Sequence, residues 1–209
     1  VTGAIRSIDY GWRLIPADRR AKTDYSIEEA DLGGAEDGEF VVAETLPGRR
    51  LGLPRARVVK RLGQEQTAPA IIDLAIEAHG IPDHFPAAAV REAEAATAPK
   101  LSAGREDLRS IPFVTIDGED ARDFDDAVHA EPDPDPTNPD GHIIRVAIAD
   151  VAHYVTAGSA LDRSAEERGN SVYFPDRVVP MLPEALSNGL CSLRPHEDRY
   201  CLAAMMRID

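Results

Sequence analysis

The sequence predicts an α+β multidomain chain: a small β-barrel over 1–63, a helical connector over 64–110, and the N-terminal part of a mixed α/β domain over 111–209. Three observations support this division. Five short strand-like runs separated by turn residues fill the first stretch, a helical apolar period takes over in the second, and strands resume around a dense acidic cluster in the third. At 209 residues and 43% hydrophobic composition, the chain has enough apolar surface for a core in one large domain or two small ones.

In the first stretch the expected strands are Val1–Ile8, Trp12–Pro16, Asp24–Ile27, Glu39–Glu44 and Ala56–Leu62, with Asp9-Tyr10-Gly11 turning the first hairpin. Asp31–Gly38, which holds three glycines, reads as a mobile loop. Tyr10, Trp12 and Tyr25 are candidate stacking platforms for bases, with Arg13, Arg19, Arg20 and Lys22 near enough in sequence to meet phosphate; the alternative is that these aromatics fill a small core. In the connector, Ile71, Ile72, Ala75, Ile76 and His79 recur at helical spacing between a Thr67-Ala-Pro69 start and a Gly80 stop, and Pro86–Ala98 reads as a second helix. His79 and His84 read as surface or packing residues. Beyond Ile111, strands are expected at Phe113–Asp117, Phe124–Ala130, His142–Asp150 and Arg199–Ile208, with a helix over Ser159–Arg168 that Ser159 caps and Gly169 stops. The run Glu131–Gly141, EPDPDPTNPDG, reads as a solvated or disordered tip that cannot pair in a sheet.

Charge is uneven. The net −14 arises mostly in 111–209, where 19 acidic residues face 8 basic ones, against 18 and 15 in 1–110. Uniform acidity would argue against a nucleic-acid partner, whose phosphates supply most non-specific affinity; a bound divalent cation reverses the local sign. Cys191 and Cys201 form neither a zinc-type pair nor a disulfide framework, which suggests a reducing cytoplasm. No run of about 18 apolar residues and no signal-peptide pattern occurs, so no membrane partner is expected. Val1 and the strand-like pattern running up to Asp209 suggest an excerpt of a longer protein.

Thr115–Ala127, TIDGEDARDFDDA, places Asp117, Asp123, Asp125 and Asp126 within ten residues, beside Glu119 and Asp120. A hard cation such as Mg²⁺ takes oxygen ligands and is usually held by carboxylates plus substrate phosphate, so four aspartates suit a pair of ions about 4 Å apart acting on a phosphodiester. In a straight strand Asp123 and Asp125 share a face and Asp126 points away, so convergence requires a turn or bulge near Phe124–Asp126. Two other readings stay open on the carboxylates alone: a solvated acidic loop, and a calcium site, although the EF-hand pattern is not met.

The stretch IPFVTIDGEDARDFDDAV is followed in order by RVAIADVAHYV, LDRSAEERGNSVYFP and VVPMLPEALSNGLCSL. Together these resemble the catalytic (RNB) domain of the ribonuclease II and ribonuclease R family, above all its ribonuclease R branch. The first 63 residues resemble the cold-shock, OB-type barrel that precedes that domain, with YGWRLIPAD where cold-shock proteins carry an aromatic, glycine-rich RNA-binding strand; here the aromatics are fewer. The resemblance implies a processive 3′-to-5′ exoribonuclease that uses Mg²⁺, or Mn²⁺ in its place. Its substrate would be single-stranded RNA with a free 3′ end, cut to nucleoside 5′-monophosphates by a cytoplasmic monomer. It assigns Asp117, Asp123, Asp125 and Asp126 as the metal-binding catalytic set, leaves Glu119 and Asp120 outside it, and makes Tyr173 of SVYFP the ring that packs on the terminal nucleotide. Read alone, Tyr173 is a core aromatic in a strand. His153 reads as a packing or surface residue, and Arg122 and Arg145 as charge compensation or phosphate contacts. The resemblance also implies that an arginine, a glutamate and much of the RNA channel lie outside these 209 residues, so the isolated piece is expected to be inactive or nearly so.

Two other classes of function compete: an RNA-binding regulator or scaffold with a vestigial catalytic domain, and a DNA nuclease. Retention of four mutually repelling aspartates argues against the first. Only contacts to the 2′-hydroxyl exclude the second.

Overall fold

Alternating apolar residues in the first stretch close into a barrel. The computed structural model describes residues 1–100, 104–119 and 121–209. These form two compact units, one of residues 1–83 with 173–178, the other of 84–172 with 179–209. Asp120 lies outside the described residues.

In the first unit, β1 (Thr2–Ile8), β2 (Gly11–Pro16), β3 (Tyr25–Ile27), β4 (Glu39–Arg50) and β5 (Leu53–Gln64) close in the order β1-β2-β3-β5-β4. All pairs are antiparallel except β3 with β5. Ile5 and Leu14 face each other across β1 and β2, and both are fully buried with Ile27, Val41, Ala43 and Ala56. Gly3 lacks a side chain for a local reason: a Cβ there would collide with the Ile15 carbonyl.

Two expectations for this unit change. The Asp31–Gly38 loop is anchored, because Leu32 and Ala35 sink into the barrel core. The buried Glu39 carboxylate accepts from the Glu36 amide at 2.8 Å and pairs with Arg61 at 2.7 Å. The β4–β5 hairpin is also longer than its alternation predicts. Beyond the expected Glu39–Glu44 and Ala56–Leu62, a register shift between Leu46 and Arg49 absorbs Pro47 and Gly48 as an irregularity and the ladder continues through Arg49↔Pro54 to Arg50↔Leu53. Helix α1 (Ala68–His79) packs against β4 and β5 through Ala70, Ile72 and Ile76 and ends at Gly80 in the left-handed conformation, φ 63°.

In the second unit, α2 (Ala87–Ala95) begins just after Pro86. A three-stranded antiparallel sheet has the order β10-β7-β6, where β6 is Asp126–Pro132, β7 is His142–Ala149 and β10 is Cys201–Ile208. Between them in sequence come α3 (Val151–Tyr154), α4 (Ala160–Arg168) and a wide helical turn at Ala185–Leu190, with the ribbon of β8 (Val172–Tyr173) and β9 (Val178–Val179), whose residues 173–178 are counted with the first unit, between α4 and that turn in sequence. The N-terminus of α4 is capped twice: Ser159 Oγ accepts from the Asp162 amide at 3.1 Å, and the Glu92 carboxylate from α2 accepts from the Ala160 and Leu161 amides at 3.0 and 2.9 Å. Ala89, Ala93, Ala149, Leu161, Leu186 and Cys191 form the core beneath.

The acidic run Glu131–Gly141 is a solvated tip only in part: Pro134, Pro136, Thr137, Pro139 and Asp140 are exposed, but its first three residues are built into the unit. Glu131 and Pro132 belong to β6 and pair with Ile143 and His142, and the Asp133 side chain is fully buried. Burial alone would raise the Asp133 pKa, but Arg207, the Asp135 amide and Asn138 outweigh it and hold the carboxyl below its usual range. Arg207 reaches it from β10 at 2.7 Å, a partner 74 residues away that local composition does not reveal.

The barrel core carries a direct test. Leu14→Ala leaves a cavity at a fully buried position and is expected to destabilise the first unit by about 2–5 kcal/mol, read by urea denaturation.

Candidate active site

The aspartate loop is entered from a short piece of paired chain. Phe113–Asp117 does not form the strand its pattern suggested. Among the described residues only Val114 pairs, exchanging both backbone hydrogen bonds with Val128 at 2.9 and 2.8 Å, and Ile116 stands 84% exposed with no described strand continuing the ladder. The chain then turns at Gly118, whose carbonyl accepts from the Ala121 amide at 3.1 Å. Residues 121–125 have no regular secondary structure, and β6 begins at Asp126 rather than Phe124. The turn or bulge expected near Phe124–Asp126 is not seen: residues 121–125 carry neither turn nor bend, and the β6–β7 register runs from Asp126 without a shift.

Bonds from elsewhere in the second unit hold this irregular segment. Ser192 Oγ donates to the Arg122 carbonyl at 2.8 Å and accepts from the Phe124 amide at 3.1 Å. The Leu193 amide donates to the Phe124 carbonyl and the Ala149 amide to the Asp125 carbonyl, each at 2.9 Å. None of these partners is within 20 residues in sequence, and reasoning from the acidic motif alone misses them all.

Asp117, Asp125 and Asp126 are exposed and Asp123 is half-buried. Desolvation by the surrounding protein raises the Asp125 pKa above its usual value, and the charges of Asp123, Asp117 and Asp126 raise it further. The four aspartates thus share one electrostatic neighbourhood. They do not close on a single point: among the described residues, no three His, Cys, Asp or Glu side chains stand close enough to hold one ion. Nor, among the described residues, does any lysine, arginine or histidine lie within ion-pair distance of Asp117, Asp125 or Asp126. Asp107 and Asp133, by contrast, are each matched by an arginine. An oxygen-only donor set with uncompensated charge fits a hard divalent cation.

Cys191 lies in the same neighbourhood. Burial, and then the Asp125 charge, push its thiol up to about 11, which leaves it protonated and unreactive at neutral pH. His153 packs edge-on against Tyr154 and Tyr200, with ring centroids 4.9 and 4.5 Å away. Arg145 pairs with Glu131 at 2.6 Å, which is charge compensation.

Tyr173 belongs to the first unit. It is 65% exposed, on a ribbon whose Arg177 pairs with Asp73 of α1 at 2.8 Å. Of the barrel aromatics, Trp12 and Tyr25 pack on the core, and Trp12 Nε1 donates to Glu29 at 3.2 Å; Tyr10 alone of the three stands open, 81% exposed at the β1–β2 turn. The core-packing alternative describes Trp12 and Tyr25.

Comparison with known proteins places these features in a family. The RNB domain family matches residues 105–209, which contain the whole aspartate loop and its tethers, and the cold shock domain family matches residues 14–86. This chain belongs to the RNB family. A ribonuclease R from Acidithiobacillus ferrooxidans is 45% identical over 203 residues, covering 94% of this chain and 45% of that protein. Ribonuclease R from Escherichia coli is 43% identical over 200 residues, covering 93% of this chain and 24% of that protein. The chain therefore spans less than half the length of these RNB relatives. Among solved structures, Mycoplasma genitalium RNase R in complex with double-stranded RNA superposes with a TM-score of 0.86 at 26% identity, covering 100% of this chain and 37% of that one.

The raised Asp125 pKa has a stability consequence. A carboxyl whose pKa is higher when folded favours the protonated form, so it contributes stability at low pH that is lost as pH rises through its folded pKa. Asp125→Asn removes the ionised form. In chelator it is expected to raise the thermal midpoint at pH 7, with a smaller difference at pH 4, as measured by calorimetry.

Proposed function

We propose that this chain carries the metal-binding part of a 3′-to-5′ exoribonuclease site that hydrolyses single-stranded RNA processively from a free 3′ end to nucleoside 5′-monophosphates. The supporting observation is the aspartate loop itself: four carboxylates that share one electrostatic neighbourhood, two of them, Asp123 and Asp125, on an irregular segment tethered from outside, with no basic partner for Asp117, Asp125 or Asp126 among the described residues, inside the stretch matched by the RNB family. The relatives' name, ribonuclease R, and the double-stranded RNA in the Mycoplasma genitalium complex support RNA as the substrate class.

Asp117, Asp123, Asp125 and Asp126 would hold Mg²⁺, with Mn²⁺ as a substitute. When bound, such an ion polarises the phosphodiester and makes water a competent nucleophile at neutral pH. The chain's own contribution is orientation: the tethered backbone between Arg122 and Asp126 would restrict where Asp123 and Asp125 stand before any cation arrives. Tyr173 would stack on the base of the terminal nucleotide, an interaction that tolerates any sequence because every base has a π-face. Because the chain spans 24% of the Escherichia coli relative, turnover is assigned to the whole protein and little of it to these residues alone.

The test uses the full-length protein on 5′-labelled RNA and DNA, with Mg²⁺ or with chelator. A ladder shortening from the 3′ end of RNA only, dependent on Mg²⁺, is expected. Asp125→Asn should reduce it beyond the ~100-fold upper range for groups that merely support metal ligands. Tyr173→Ala should leave longer end products and weaken RNA binding by about 1–3 kcal/mol. Tight binding without shortening would replace this reading with the RNA-binding scaffold, and equal shortening of DNA would replace the substrate.

A further inference from the structure

One buried side chain outside the acidic set fixes the aspartate loop. Ser192 is 0% exposed, and its hydroxyl uses both a donor and an acceptor on the loop, to the Arg122 carbonyl and from the Phe124 amide. Those two groups belong to the peptide units on either side of Asp123. With both units held, neither φ nor ψ of Asp123 can rotate without breaking a hydrogen bond. The next residue extends the clamp: the Leu193 amide holds the Phe124 carbonyl, and the Ala149 amide holds the Asp125 carbonyl. Four consecutive peptide units, from Arg122 through Asp126, are thus each tied to a group outside the loop.

Ser192 is itself braced. Arg199 Nε donates to the Ser192 carbonyl at 2.8 Å and to the Gly189 carbonyl at 3.2 Å, and only 10% of the Arg199 side chain is exposed. Leu186 and Cys191, just upstream of the serine, lie in the core of the second unit. The hydroxyl therefore sits on a rigid support while gripping a segment that has none of its own.

We propose that Ser192 is a positioning residue for the divalent-cation site, setting the orientation of Asp123 and, through the adjoining tethers, of Asp125; this rests on the assignment of the four aspartates as cation ligands. Mutual repulsion drives the carboxylates apart, and a loop free to relax would let them separate. The hydroxyl clamp opposes that relaxation and keeps the loop arranged before a cation binds.

The experiment measures Mn²⁺ affinity by calorimetric titration and amide hydrogen exchange at Phe124 by NMR, for the unaltered chain, Ser192→Ala, Ser192→Thr, Asp125→Asn and a control, Leu161→Ala, that destabilises the same unit from α4. Ser192→Ala is expected to lower Mn²⁺ affinity about 10–100-fold and to speed Phe124 exchange about tenfold. Ser192→Thr, which keeps the hydroxyl, should retain more affinity than Ser192→Ala. Leu161→Ala should lower the thermal midpoint and leave Mn²⁺ affinity and Phe124 exchange unchanged. The proposal is overturned if Ser192→Ala matches the unaltered chain in both measurements, or if it loses no more affinity than Leu161→Ala does. Failure of the ligand assignment would look different: Asp125→Asn would bind Mn²⁺ as tightly as the unaltered chain, or the unaltered chain would bind none. Either result overturns both proposals, and Phe124 exchange would then report only whether Ser192 holds the loop.

Discussion

Four carboxylates within ten residues repel one another, and the segment that carries three of them has neither helix nor strand to hold it in place. The second unit is built around that problem. Its sheet supplies the Ala149 amide, the chain after the Ala185–Leu190 turn supplies the Ser192 hydroxyl and the Leu193 amide, and Arg199 braces that turn from the far side. Hydrogen bonds to backbone carry the load because side-chain partners would neutralise the charge. Arginines do neutralise the carboxylates at Asp107 and Asp133, which are structural, and leave Asp117, Asp125 and Asp126 unmatched among the described residues. The charge that remains suits a cation; the raised Asp125 pKa comes first from desolvation and then from the neighbouring aspartates' charges.

The first unit solves a simpler problem by ordinary means. Ile5, Leu14, Ile27 and Val41 fill a closed five-stranded barrel, and Leu32 and Ala35 plug it from a loop. Closure leaves few open sheet edges, and α1 covers part of β4 and β5. The aromatics that could serve as stacking platforms are largely committed to this packing, so the barrel's outer surface offers Tyr10 and scattered arginines rather than an aromatic strip.

How much of this was legible in the sequence depended on the range of the interaction concerned. Five barrel strands, the ends of α1 and the Ser159 and Gly169 signals of α4 are written within a few residues, and each appears in the fold. The four aspartates stood out for the same reason. Missed features depend on distant partners. The Glu131–Gly141 run has the composition of a disordered tip, yet Arg207 draws Asp133 inward from another strand. The β4–β5 hairpin passes Pro47 because a register shift between Leu46 and Arg49 accommodates it, which alternation cannot foresee. Ser192 lies 68 residues from the amide it holds, within the motif VVPMLPEALSNGLCSL, where nothing in its local pattern marks it as different from the other serines.

The central claim is that the tethered aspartates form a cation site. Anomalous diffraction from crystals of this chain grown with Mn²⁺ tests it most directly, because it locates the ion without relying on turnover. The account predicts an anomalous peak bonded to carboxylate oxygens of at least two of Asp117, Asp123, Asp125 and Asp126. Peaks confined to other carboxylates, with the aspartate loop bare at Mn²⁺ concentrations that saturate those sites, would contradict it.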